Sequence, residues 1–241
     1  SEFNFEHLLD IRKQAEQTDT HADIDASKQV EEALRDLNTP NTSFIKTYPG
    51  LDKYLGGGLV PNELIVIGAR PSVGKTAFAL NLATNAILGD PSLTVELFSL
   101  EMSSKQNMRR VYAATSGIPL NLWKNPAVRM SESQKEVAAN TIKQIAGIRF
   151  WSNDRVATID DISSVIKQHA HRCKTSRYLA IVDHIGLVET SNPREDTRQA
   201  LEEVSRRLKL LTQNLQIPII ALSQLNRGVE SRQSNEPNLS D

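Results

Sequence analysis

Residues 63–86 read ELIVIGA (Glu63–Ala69), RPSVGKT (Arg70–Thr76) and AFALNLATNA (Ala77–Ala86). The first segment is apolar and β-branched, with polar Asn62 before it and the turn-forming Gly68 closing it, which predicts a short buried strand. The last segment predicts a helix, because Phe78, Leu82, Ala86 and Ile87 recur at helical spacing and give it one apolar face to lay against that strand. Between them, Ala69–Thr76 is a strand-to-helix turn that ends in Gly74-Lys75-Thr76, the pattern of a loop that cradles phosphates.

The residue types suit that chemistry. A triphosphate brings several negative charges out of water, and a helix start offers unpaired backbone N–H groups and the positive end of the helix dipole. The candidate nucleotide-binding run is therefore Ala69, Arg70, Pro71, Ser72, Val73, Gly74, Lys75 and Thr76. Gly74 lets the backbone approach the phosphates, and Pro71 stiffens the loop. Lys75 is long enough to reach the β- and γ-phosphates, and the Thr76 hydroxyl can ligate a magnesium ion that bridges them. The usual pattern opens with Gly; here that position is Ala69, with Gly68 one residue earlier.

A chain of 241 residues with 39% apolar side chains can bury a full core, as one large domain or one domain plus an appendage. The single cysteine, Cys173, excludes an internal disulfide framework and fits a reducing cytosol. No leading charged-then-apolar segment and no apolar run near the ~20 residues of a membrane span is visible, so a soluble cytoplasmic protein without a membrane partner is expected. The net charge of −1 excludes a globally basic, non-specific nucleic-acid surface.

At the amino-terminal end, Ser1–Phe3 reads as a cloning scar, Phe5–Gln17 as a short helix and Thr18–Ala26 as a polar linker. Val30, Leu34 and Leu37 predict a second amphipathic helix, which ends at Asn38-Thr39-Pro40-Asn41. Residues 1–43 are thus expected to form a linker region, with a larger domain from residue 44 to 241. Within that domain, Thr47–Leu59 (TYPGLDKYLGGGL) predicts a turn, a short helix and a glycine turn. Strands are expected over Leu93–Leu100, Ile148–Ser152, Tyr178–Asp183 and Pro218–Leu222. Helices are expected after the capping patterns at Ser103–Gln106 and Ser131–Gln134, from Thr158, and along Leu201–Leu215, while Glu189–Gln199 reads as a mobile polar loop. Alternating strands and helices predict an α/β fold with a mostly parallel central sheet and helices on both faces.

In such sheets ligands bind at the carboxyl ends of strands. That rule gathers the phosphate loop, Glu101, Asp183 and Gln224 on one edge, although they lie far apart in the chain. Asp183, an acid after apolar strand residues, is the expected second magnesium partner beside Thr76. Glu101 is the candidate general base for a water aligned on the γ-phosphate, and Gln224 carries an amide able to sense that phosphate. Arg110, on the helix after Glu101, is a candidate nucleotide contact, with a solvated face as the competing reading. His169 and Cys173, at i and i+4, have a metal-like spacing but no second pair, which favours a core role. Phe150, Trp123 and Trp151 read as packing, and Arg206, Arg207 and Lys209 as a solvated face.

Taken together, ARPSVGKTAFALN (Ala69–Asn81), FSLEMS (Phe98–Ser103), IVDHIGL (Ile181–Leu187) and ALSQLNR (Ala221–Arg227) resemble the motor domain of DnaB-type replicative DNA helicases, over roughly Thr47 to Arg232. The resemblance implies a RecA-like P-loop NTPase domain preceded by an amphipathic linker helix that docks on a neighbouring subunit of a hexameric ring. It implies hydrolysis of ATP with Mg2+ to translocate on single-stranded DNA, with Lys75, Glu101 and Gln224 in catalysis and Thr76 and Asp183 at the metal. By resemblance, the loop around Pro193-Arg194-Glu195 lines the central channel, with Arg194 and Glu195 as its DNA-binding residues. Primase and a helicase loader are the implied partners of the full-length protein. His184 departs from the bacterial pattern, which often has an aromatic there. The family's later segment with an arginine finger is missing before Asp241, so a truncated motor domain is expected. Two alternatives share the phosphate loop: another RecA-like ATPase, of recombinase or clock type, and a nucleotide-switched scaffold with little turnover. Glu101 argues against the scaffold.

Overall fold

The computed structural model describes residues 26–38, 43–173, 177–191 and 196–225. The chain divides into two units, 1–42 and 43–241. In the first, helix α1 (Ala26–Asn38) carries Val30 and Leu37 on its exposed surface. The expected helix over Phe5–Gln17 lies outside the described residues.

The second unit begins with α2 (Pro49–Tyr54), which leads through a glycine turn into strand β1 (Leu64–Ala69). Gly58 has a φ of +136°, and a Cβ there would come within 2.6 Å of the Ile45 carbonyl oxygen, so a side chain is excluded both by conformation and by space. That turn is held by the reciprocal backbone bonds of Ile45 and Leu59, 2.9 and 3.0 Å long. Arg177 anchors the same entry: it pairs with Asp90 and donates to the Ser43 and Phe44 carbonyls at 3.2 and 3.3 Å.

The order continues with α3 (Lys75–Gly89), β2 (Thr94–Ser99), α4 (Ser104–Ser116), α5 (Pro126–Arg129), α6 (Glu132–Ala146), β3 (Arg149–Asn153), α7 (Ile159–Arg172), β4 (Tyr178–Asp183), α8 (Thr197–Leu215) and β5 (Ile219–Gln224). The strands form one parallel sheet in the order β1-β5-β4-β2-β3. Side chains on a strand alternate between faces, and the two cores follow that alternation. Val95, Leu97, Leu179, Ile181, Ile220 and Leu222 pack with α3 residues Leu80, Leu82, Ala83 and Ile87 on one side. Phe98, Ala180, Val182, Ile219 and Ala221 pack on the other side with Ile162 and Ile166 of α7 and Val204 and Leu208 of α8. Each fully buried Val, Leu, Ile or Phe side chain among these contributes roughly 1.5–3 kcal/mol relative to exposure. The fold is the α/β, RecA-like architecture, with helices on both faces of a parallel sheet.

Capping boxes open α4 (Ser103 with Gln106), α6 (Ser131 with Gln134) and α8 (Asp196 with Gln199). The last of these corrects the reading of Glu189–Gln199 as loop throughout, since Thr197–Gln199 form the first turn of α8. Its polar composition is that of a cap and an exposed first turn, not of a loop alone. Phe78 is a second correction. It is 41% exposed and stacks on Tyr48, with ring centroids 6.1 Å apart. The buried side of α3 is carried by Ala79, Leu80, Leu82, Ala83, Ala86 and Ile87, in which the three alanines allow close approach to the sheet. The basic run on α8 is a solvated face as expected, with Arg206 and Lys209 exposed and each cation given a surface partner. Arg207 pairs with Asp160, Arg206 donates to Glu203 at 2.6 Å, and Lys209 donates to the Asn62 carbonyl at 3.0 Å.

His169 and Cys173 are structural. The buried Glu96 carboxylate is held by the Tyr178 hydroxyl and by His169 Nδ1 at 2.9 Å, and Cys173 Sγ lies 3.4 Å from Thr94 Oγ1. Burial, with the Glu96 charge beside it, pushes the Tyr178 hydroxyl far above its ordinary range, so it stays a neutral donor. Among the described residues no group of three or more His, Cys, Asp or Glu side chains could hold a metal ion. Trp123 is buried, whereas Trp151 is 38% exposed and meets His169 edge-on, so packing accounts for the first tryptophan more fully than for the second.

Candidate nucleotide-binding site

The sheet order explains the site. β1 and β4 both border β5, and β2 borders β4, so the carboxyl ends of β1, β5, β4 and β2 lie side by side along one edge. Register then fixes the neighbours: Ala69 opposite Gln224, Leu222 opposite Asp183, and Asp183 opposite Ser99. Two backbone bonds continue the alignment past the strand ends, from Leu225 N–H to the Ala69 carbonyl (3.1 Å) and from Leu100 N–H to the Asp183 carbonyl (2.8 Å). Glu101 therefore emerges next to the strand end that carries Asp183.

The phosphate loop turns where its sequence requires it. Gly74 is the N-cap of α3 and has φ 97°, ψ 20°, a left-handed conformation that suits glycine, and Ser72 also has a positive φ of 65°. A turn of this kind at a helix start presents successive backbone N–H groups to an anion. The cleft in front of it has a volume of about 340 Å³. Ala69, Arg70, Pro71, Ser72, Gly74, Lys75, Thr76, Glu101, Arg110 and Gln224 all line it. Ala77 and Met102 line it too. Neither side chain carries a charge or a strong hydrogen-bonding group, so neither stands out in the sequence as a site residue. Their adjacency to Thr76 and Glu101 was the available signal. Val73 is the exception in the loop, for it is 65% exposed and is not among the lining residues.

At the floor, Thr76 Oγ1 donates to Asp183 Oδ2 at 2.6 Å, and Lys75 Nζ lies 3.6 Å from Asp183 Oδ1. The Asp183 side chain is 0% exposed and that of Lys75 only 10%. A carboxylate buried to this degree requires a counter-charge, which Lys75 supplies here. Asp183 Oδ1 accepts no hydrogen bond, although it is fully buried. A hydroxyl and a carboxylate with one oxygen unpaired form the hard oxygen donor set that suits a magnesium ion, so these residues fit such a cation. Next in the chain, burial and the positive charge of Lys75 hold the His184 imidazole below its ordinary pKa, against the opposing charges of Asp183 and Glu101. The ring is thus neutral near pH 7. Arg110 reaches the cleft with its Nε buried and unpaired. Arg194 and Glu195 lie outside the described residues.

Residues 45–241 match the family described as DnaB-like helicase C terminal domain. The chain belongs to this family. Among relatives of this DnaB-like domain, the replicative DNA helicase DnaC of Bacillus subtilis (strain 168) is 34% identical over 217 residues, which span 87% of this chain and 45% of that protein. The replicative DNA helicase DnaB of Haemophilus influenzae is 33% identical over 207 residues, 83% of this chain and 42% of its own length. The chain thus spans less than half the length of these curated relatives. Among solved structures, the ATPase domain of G40P superposes with a TM-score of 0.80 at 27% identity, over 92% of this chain and 78% of that one. A DnaB-like replicative helicase, solved in a study of its interactions with primase, gives a TM-score of 0.79 at 28% identity, over 98% of this chain and 56% of its own. The DnaB-like domain therefore shares both sequence and fold with helicase motor domains.

Proposed function

We propose that this chain is the motor of an ATP-dependent replicative DNA helicase, which hydrolyses ATP to move along single-stranded DNA and unwind duplex at a replication fork. The observation that carries the reading is the joining of Lys75 and Thr76 to the buried Asp183 in a cleft that Glu101, Arg110 and Gln224 also line. Relatives named replicative DNA helicases support it.

In this reading residues 44–241 are motor and residues 1–43 are linker. Backbone N–H groups of the loop from Ala69 to Thr76, Val73 among them, hold the phosphates. Lys75 turns from Asp183 to the β- and γ-phosphates, whose charge outweighs one carboxylate. A magnesium ion held by Thr76 and Asp183 supplies charge neutralisation at those phosphates. Glu101 orients the attacking water and takes its proton, and Gln224 and Arg110 contact the γ-phosphate region. The motor works as a homo-hexamer in the cytoplasm, with primase and a loader as partners of the longer protein. Several copies of the loop bearing Arg194 and Glu195 line a channel around the single strand, which reconciles DNA binding with a net charge of −1.

The test is size analysis with ATP and magnesium, followed by single-strand-stimulated hydrolysis on the same fractions. The reading expects stimulation in the ring fraction. It also expects Arg194→Ala to weaken single-strand binding and to flatten its salt dependence by about 0.7 of a unit of log–log slope for each copy whose Arg194 holds a phosphate, with nucleotide affinity unchanged. Absence of any single-strand binding or stimulation by the wild-type chain in a ring would overturn the motor assignment.

A further inference from the structure

Beside the nucleotide cleft, one strand-end hydroxyl is buried and plays no part in the reading above. Ser99 closes β2, is 1% exposed, and its Oγ has no hydrogen-bond partner. Its register partner is Asp183, whose Oδ1 is likewise buried and accepts no hydrogen bond. Buried polar atoms are rarely left unpaired, and two on adjacent strands at a site point to a shared purpose.

Both side chains project to one face. Val95 and Leu97, four and two residues before Ser99, lie in the core beneath α3, as do Leu179 and Ile181, which precede Asp183 at the same spacings. Strand alternation therefore directs Ser99 to the side on which Asp183 meets Thr76 and Lys75. Neighbouring strands lie about 4.8 Å apart, so registered side chains are within reach of each other after a small rotation about χ1. A serine hydroxyl has one proton to donate, and a carboxylate oxygen can only accept. The two unpaired atoms are thus complementary.

We propose that Ser99 is a positioning residue of the metal site: its hydroxyl donates to Asp183 Oδ1 once Lys75 leaves that oxygen for the phosphates, and so fixes the carboxylate that holds the cation. The inference rests on the nucleotide and magnesium reading above. In the structure Lys75 guards Oδ1 at 3.6 Å. When the lysine turns to a triphosphate, the buried carboxylate loses that neighbour, and Ser99 supplies the replacement hydrogen bond without competing for the phosphate. A hydroxyl suits this role better than a second cation, because it orients the carboxylate and leaves its negative charge for the metal.

The test compares wild type and Ser99→Ala in the full chain, using ADP alone and ADP with Mn2+, by calorimetry and by manganese electron paramagnetic resonance. Groups that orient a metal ligand typically change metal affinity by about 10–100-fold when removed. Ser99→Ala is therefore expected to weaken Mn2+ binding in the ADP complex by at least about tenfold, to broaden the manganese signal, and to leave metal-free ADP affinity within about twofold. Unchanged Mn2+ affinity in Ser99→Ala would overturn the proposal. So would an equal loss of ADP affinity with and without metal, which is the signature of a merely structural serine. Should wild type itself bind ADP no better with Mn2+ than without, the magnesium reading fails and the inference with it; a metal-dependent wild type with an indifferent Ser99→Ala sinks the inference alone.

Discussion

Lys75→Ala is expected to abolish ATP hydrolysis, with a loss of at least about 10²–10³-fold in kcat/KM, the scale on which a preorganised charge acts when removed from a site. Two effects combine in that variant. The ammonium is the flexible point charge of the cleft, placed at the helix start where phosphates gather, so its loss weakens both nucleotide binding and the stabilisation of charge during transfer. It is also the counter-charge of a carboxylate that is 0% exposed. Without it Asp183 keeps only the hydrogen bond from Thr76, at 2.6 Å. An uncompensated buried acceptor costs on the order of 1–3 kcal/mol, so the variant is expected to unfold at a lower temperature than wild type and to recover part of the loss in excess magnesium. Steady-state hydrolysis and thermal unfolding, measured on one preparation, check both halves. Wild-type hydrolysis by Lys75→Ala would remove the site assignment.

Glu101→Gln should behave differently, and the contrast is informative. Glu101 lines the cleft and is exposed, so the nearly isosteric amide costs the fold little, within about 0.5 kcal/mol. An amide cannot accept the proton of an attacking water. Turnover is expected to fall by about 10²–10⁴-fold while ATP affinity stays close to wild type, the pattern of a group that acts in the chemical step and not in binding. Binding by equilibrium fluorescence and turnover by phosphate release separate the two quantities. Full turnover would exclude Glu101 as the base.

Much of this was legible in the chain, for identifiable reasons. Strand and helix existence followed from period: Tyr178–Asp183 is a strand over the predicted residues, and the capping patterns at Ser103 and Ser131 open helices as expected. The gathering of Ala69, Glu101, Asp183 and Gln224 on one edge followed from a general rule for parallel sheets and not from any local signal. What the sequence hid was what depends on a partner in space. Phe78 has the spacing of a core residue, but it falls at the edge of the buried stripe of α3, where its ring stacks on Tyr48. Arg207 belongs to a solvated face as expected, but only the fold shows that α7 brings Asp160 beside it. The start of α8 resembled loop because capping residues and loop residues are the same polar types. Ser99 gave no signal at all. A serine at the end of an apolar strand becomes notable only when register places it opposite a buried aspartate that shares its lack of a partner.

The central claim is that separate strand ends assemble one triphosphate site, and a crystal structure of this chain with a non-hydrolysable ATP analogue and magnesium tests it most directly. The account predicts the triphosphate in the cleft lined by Ala69–Ser72, Gly74–Ala77, Glu101 and Gln224, with Lys75 turned from Asp183 onto the phosphates and the cation on the Thr76 and Asp183 oxygens. A triphosphate bound elsewhere, or one bound there with Lys75 still on Asp183 and no cation between Thr76 and the phosphates, would contradict it.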